Sequence, residues 1–157
     1  MAEHVTGDRV YAEQVRQLYR LSRPAYLGTL INSSILVFAL WGTVSTTLLG
    51  AWLCAMFLVT GARYLLYRAH HGLNPADAES DRWARRFVIG AGAAGLLWGV
   101  AGSILYPASS LPHQFLVIFL IGGMMLAAMV VLAPLRQALL VYVLPAFLPL
   151  IAAVFAQ

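Results

Sequence analysis

An all-α, polytopic transmembrane helical bundle is the fold class this sequence predicts. Three observations predict it. Charged residues make up 10% of the chain and hydrophobic residues 61%, whereas soluble domains carry roughly 25% charged residues. The mean hydropathy is +0.79. The charges are also clustered: no Asp, Glu, Lys or Arg occurs in 24–62, 87–135 or 137–157. A helix needs about 20 apolar residues to cross the hydrocarbon core. The three gaps therefore have room for two, two and one crossings, giving about five spans in a single membrane domain, 1–157.

The elements follow in order. Segment 8–23 reads as an amphipathic N-terminal helix, with Asp8 able to cap it. Tyr11, Val15, Leu18, Tyr19 and Ser22 share one face, and Glu13, Arg16, Gln17 and Arg20 the other. Such a helix either lies on the membrane surface, its arginines near anionic head groups, or packs on its own protein. The first span is expected at 26–44 and the second at 48–67, with a turn at 42–47 between them. Arg63 and Arg68 mark the end of the second span, and 70–74 form a loop. Asn74-Pro75-Ala76-Asp77 has the chemistry of a helix start, which runs into a third span at 87–106. After a proline-containing loop come the fourth span at 114–133 and the fifth at 138–156.

All ten basic residues are arginines, and an alternating five-span path puts every one on the same side. By the positive-inside rule that side is the cytoplasm, so the N-terminus is inside and Gln157 outside. Arginines placed beside spans are orientation signals, which removes the nucleic-acid reading of a basic pI. Segment 1–8 lacks the basic start and immediate apolar run of a cleavable signal peptide, so the first span is expected to be retained. Cys54 is the only cysteine and cannot form an intrachain disulfide.

Several side chains invite a functional reading. Ala91, Gly95, Gly99 and Ser103 form a small-residue stripe, with a shorter one at Gly123 and Ala127. In lipid such stripes allow close helix approach, either in a homodimer or within the bundle. Asn32, Ser33 and Ser34 form an intramembrane polar cluster, suited to interhelical hydrogen bonds or to a ligand pocket. Pro145 and Pro149 are a candidate kink in the fifth span. No acidic or basic residue is expected deep in a span, which weighs against a pump or transporter. His70 and His71 fall on one side and His113 on the other, so they cannot share a metal. Met124, Met125 and Met129 suit packing better than copper or haem ligation. There is no P-loop, HExxH motif or nucleophile triad pattern. The expectation is no enzyme, no cofactor and no metal. Trp41, Trp83 and Tyr106 stand where an interfacial aromatic belt would place them.

The phrases at 18–24 (LYRLSRP), 81–87 (DRWARRF), 95–99 (GLLWG), 110–114 (SLPHQ) and 144–149 (LPAFLP) occur in this order. Together they resemble the N-terminal, MASE-type membrane sensor region of bacterial signalling proteins. The resemblance runs from about Tyr11 to Pro149. It implies an inner-membrane sensory or anchoring domain that precedes a cytoplasmic GGDEF, GGDEF–EAL or histidine-kinase output. It supplies no ligand set. Five spans leave Gln157 on the wrong side for such an output, so the chain is expected to be a truncated sensor region or a standalone remnant. The bilayer, a second copy of the chain and an output domain are the implied partners. A small oligomeric transporter or channel subunit is the alternative, and a passive dimerising anchor a third reading.

Overall fold

The computed structural model describes residues 2–73, 79–107 and 110–156, with side chains from residue 9 onward. The described residues form five α-helices. These are α1 (Ala2–Ala39), α2 (Thr46–Leu73), α3 (Ser80–Ser103), α4 (Leu111–Leu132) and α5 (Arg136–Phe155). The helix start expected at 74–77 and the Asp8 cap lie outside the described residues and side chains. Four helices, α2 to α5, are long and apolar enough to cross a membrane.

The largest departure from expectation is at the N-terminus. Segment 8–23 and the first part of segment 26–44 lie in one continuous helix, with Pro24 inside it. Within it Val15, Leu18, Tyr19 and Ser22 are buried, while Glu13, Arg16, Gln17 and Arg20 are exposed. Proline lacks the N–H that would bond the carbonyl four residues back, yet helices tolerate this where packing holds them together. α1 ends at Ala39, earlier than expected. The turn that follows is built on Gly42, whose φ of 83° is a left-handed conformation that a side chain would disfavour. α2 runs on through 68–73, so His70 and His71 are helical and not in a loop.

α3 is the central helix, touching all four others and packing most closely on α5. Glycines explain the close approach. A Cβ at Gly95 would overlap the Tyr142 carbonyl oxygen, and one at Gly99 would overlap that of Pro145. A Cβ at Gly92 would sit 2.7 Å from Val141 Cγ1, and one at Gly102 would sit 2.9 Å from Leu150 Cβ. Pro149 has no N–H to give the Pro145 carbonyl, its helical partner four residues back. The Gly99 Cα–H lies against that oxygen and supplies a weak replacement donor. Ala91, Gly95 and Gly99 are thus buried within the chain, and Ser103 turns back to donate to the Gly99 carbonyl at 2.8 Å. Gly95 and Gly99 of the stripe thus pack against α5 of the same chain.

Two further contacts join the bundle. Trp52 Nε1 on α2 donates to the Leu97 carbonyl on α3 at 2.6 Å, with its ring edge-on to Trp98 at 5.6 Å. At the opposite end Tyr19 stacks on His70 (centroids 4.0 Å apart) and donates its hydroxyl to the Trp83 carbonyl at 3.1 Å. Trp83 is therefore buried in an aromatic cluster and not part of a lipid-facing belt, whereas Trp41 is exposed. Outside the core, large apolar side chains such as Leu58, Phe115, Phe119 and Phe155 stay exposed, as lipid-facing positions would be.

Candidate functional site

Arg63 is the residue that departs furthest from its expected place. The sequence reading treats it as a flanking charge at the end of a span. The structure buries it, leaving 9% of its surface exposed. Gly90 on α3 makes the room: a Cβ there would stand 2.9 Å from Arg63 Cγ. The guanidinium lies over the rings of Tyr26 (5.2 Å) and Phe87 (5.5 Å). Cation–π contacts of this kind recover part of the lost hydration. No carboxylate faces it, and its Nε has no hydrogen-bond partner among the described residues. A buried charge without a counter-ion is costly, and in a membrane bundle such a residue is the first candidate for a functional position.

Arg63 forms part of the wall of a cavity of about 420 Å³ between α1 and α4. Tyr142 from α5 joins it at the wall, and Thr29 and Asn32 add polar atoms from α1. The α4 side is Gly123, Met124 and Ala127 with their neighbours. Gly123, Ala127 and Val130 are exposed on the bundle exterior, so the cavity opens sideways, where lipid would lie. Volumes of about 300–1,000 Å³ with apolar walls and few polar groups are typical of small-molecule sites. A larger hollow, about 600 Å³, lies on the other face of α1 against α2. Its only charged residue, Arg23, is exposed, so it lacks the buried charge that distinguishes the first.

The structure splits the polar cluster expected at 32–34. Asn32 donates its amide to Met124 Sδ across the α1–α4 gap at 3.2 Å. Ser33 and Ser34 both donate back to the Leu30 carbonyl, at 3.0 and 2.8 Å, and Ser34 is exposed. Gly123 does not pack closely on another helix of this chain, since nothing lies within 4 Å of a Cβ built there, and Ala127 is exposed. Both line the cavity mouth instead. Pro145 and Pro149 sit inside an unbroken α5, with the Pro145 carbonyl against Gly99. His113 pairs with Ser110 at 2.6 Å, while His70 sits in the aromatic cluster with Tyr19 and Trp83.

Sequence reasoning placed Asn32, Gly123 and Ala127 in separate features and missed Arg63 as a site residue. One signal was available. Arg63 falls inside the expected second span, five residues before Arg68, which suffices as a flanking charge. Comparison with family models, with curated proteins and with solved structures finds no match to this chain.

Proposed function

We propose that this chain is a bacterial inner-membrane sensory or anchoring domain of a signal-transduction protein of the diguanylate cyclase or sensor-kinase type. Five helices cross the bilayer, and the N-terminus is cytoplasmic. The fifth crossing is the later part of α1. Its exposed face carries Leu27, Ile31, Ile35 and Phe38, an apolar stripe at helical spacing, and its charges stop at Arg23. The bilayer is the first partner, and an attached or associated cytoplasmic domain receives the signal.

The observation that carries the sensory reading is the lateral cavity between α1 and α4, with the buried Arg63 in its wall. α3 and α5 form the tightest pair, while α1 and α4, which also touch, leave the cavity between them. Filling or emptying that space alters how α1 packs against α4. A conformational signal needs such a difference in contact between two states.

The test is a chimera. The chain is joined through one added transmembrane helix to a diguanylate cyclase reporter domain. Ala127→Phe then fills the cavity from its exposed mouth. A several-fold change in cyclic di-GMP at unchanged protein level supports sensing. Unchanged output reduces the domain to a passive anchor. The alternative, a small oligomeric transporter or channel subunit, is favoured by one observation only, the buried charge of Arg63. Solute flux through liposomes holding the pure protein would establish it.

A further inference from the structure

We infer that the cavity between α1 and α4 binds an anionic amphiphile, its oxyanion head on the Arg63 guanidinium and its apolar body against α4. This names the ligand class of the proposed sensory site and rests on that reading for its consequence.

Three features specify the ligand. The first is charge. Arg63 is the only ionisable residue that lines the cavity besides the phenol Tyr142, and no described carboxylate neutralises it. A guanidinium presents a planar fork of donors that matches a carboxylate or phosphate. The rings of Tyr26 and Phe87 hold the cation, its Nε is buried without a partner among the described residues, and Arg63 lines the cavity, so an oxyanion there would supply the acceptor that the guanidinium lacks. The second is polarity. Away from Arg63 the lining is apolar along α4 (Met124, Ala127, Val131), which suits a hydrocarbon body and excludes a free inorganic anion as the best fit. The third is access. The mouth lies between α1 and α4, where the lining residues Gly123, Ala127 and Val130 are exposed on the outer face of the bundle, so the ligand enters from the bilayer.

The depth agrees. Arg63 precedes the end of α2 at Leu73 by ten residues, about 15 Å along the axis. α2 is 28 residues long, or about 42 Å, which exceeds a hydrocarbon core of about 30 Å. Arg63 therefore sits a turn or two inside one face of the core, where a head group sunk slightly below its neighbours reaches it. A fatty-acid carboxylate and the phosphate of an anionic phospholipid share this chemistry.

The experiment uses the full chain in nanodiscs of phosphatidylcholine. Binding of radiolabelled oleate is compared with that of oleyl alcohol, which has the same chain and no charge. Saturable oleate binding, about tenfold or more tighter than that of the alcohol, is expected. Arg63→Gln should abolish that preference, whereas Arg68→Gln and Arg86→Gln, both on exposed residues, should keep it. Equal binding of acid and alcohol, or an unchanged preference in Arg63→Gln, would overturn the proposal. Should Arg63→Gln fail to fold, Gly123→Leu decides. It projects into open space, leaves Arg63 in place and occupies the apolar half of the cavity. It should weaken oleate binding by about tenfold or more, and unchanged binding there overturns the proposal. Native mass spectrometry separates the sources. A phosphatidylglycerol molecule retained by the wild type and lost in either variant makes the ligand a phospholipid; displacement of that lipid by oleate makes it a free carboxylate. No output domain enters these measurements, so binding can hold while the signalling chimera fails, and the reverse.

Discussion

Adding one methyl group at Gly95 or Gly99 should separate α3 from α5. At Gly95 the new Cβ would lie 2.9 Å from Tyr142 Cα. Ordinary carbon contacts are about 3.5–4.0 Å, so the helices must part by about 1 Å. The opposing atoms are backbone, which has no rotamer to escape into. At Gly99 the carbonyl of Pro145 is met head-on, and the Cα–H contact that compensates for Pro149 is strained as well. Overpacking of a well-filled core typically costs about 1–3 kcal/mol. For a chain of this size each kcal/mol lowers Tm by about 2–4 °C. Thermal unfolding in a single detergent measures this. Tryptophan fluorescence is a suitable probe because Trp98, next to Gly99, is fully buried. Gly61→Ala and Gly122→Ala are the controls, since nothing lies within 4 Å of a Cβ at either. They should be neutral or slightly stabilising. Wild-type stability in Gly95→Ala and Gly99→Ala, with loss of an oligomer, would show that the stripe faces another chain and refute the packing argument.

Other outcomes follow from the same contacts. Trp52→Phe keeps the ring against Trp98 but loses the 2.6 Å bond to the Leu97 carbonyl; a loss of about 1 kcal/mol is expected in detergent unfolding. Tyr19→Phe loses the bond to the Trp83 carbonyl while keeping the stack on His70, and should cost a similar amount, about 1 kcal/mol. His70 lies beyond 48–67, and burial, with His71 and Arg16 nearby, holds its pKa below the ordinary 6.5. The unfolded chain then takes up the proton first as pH falls, so stability is full above pH 6.5 and declines below it, through the lowered folded value. His70→Phe, which keeps an aromatic ring on Tyr19, should flatten that part of the stability-versus-pH curve; an unchanged slope would assign it to another group.

Much of the scaffold was legible in the sequence. The charge-free stretches predicted the apolar helices that became α2 to α5, because the cost of a charge in lipid limits where helices can cross. Their ends were less legible. α2 continues past Tyr67 because His70 packs on Tyr19 and Trp83, residues that are distant in sequence. The turn at 42–47, Gly42 included, was recognised, but not that α1 stops as early as Ala39. The separate elements expected at 8–23 and from 26 onward are joined, because α1 runs on through Pro24. The site was less legible still. Whether Ala91, Gly95 and Gly99 face a second chain or α5 depends on which helix arrives, and small residues permit both. Arg63 looked like its neighbour Arg68. Only the gap at Gly90 and the rings of Tyr26 and Phe87, from two other helices, turn its side chain inward.

Membrane topology tests the account at its base. Alkaline phosphatase, active only outside the cytoplasm, and green fluorescent protein, fluorescent only inside it, would each be fused at residue 157 and at the N-terminus. Five crossings with a cytoplasmic N-terminus predict phosphatase activity at residue 157 and fluorescence at the N-terminus. Fluorescence at both ends would mean that α1 does not cross. The mouth between α1 and α4 would then face something other than lipid, contradicting both the five-span domain and a ligand that enters from the bilayer.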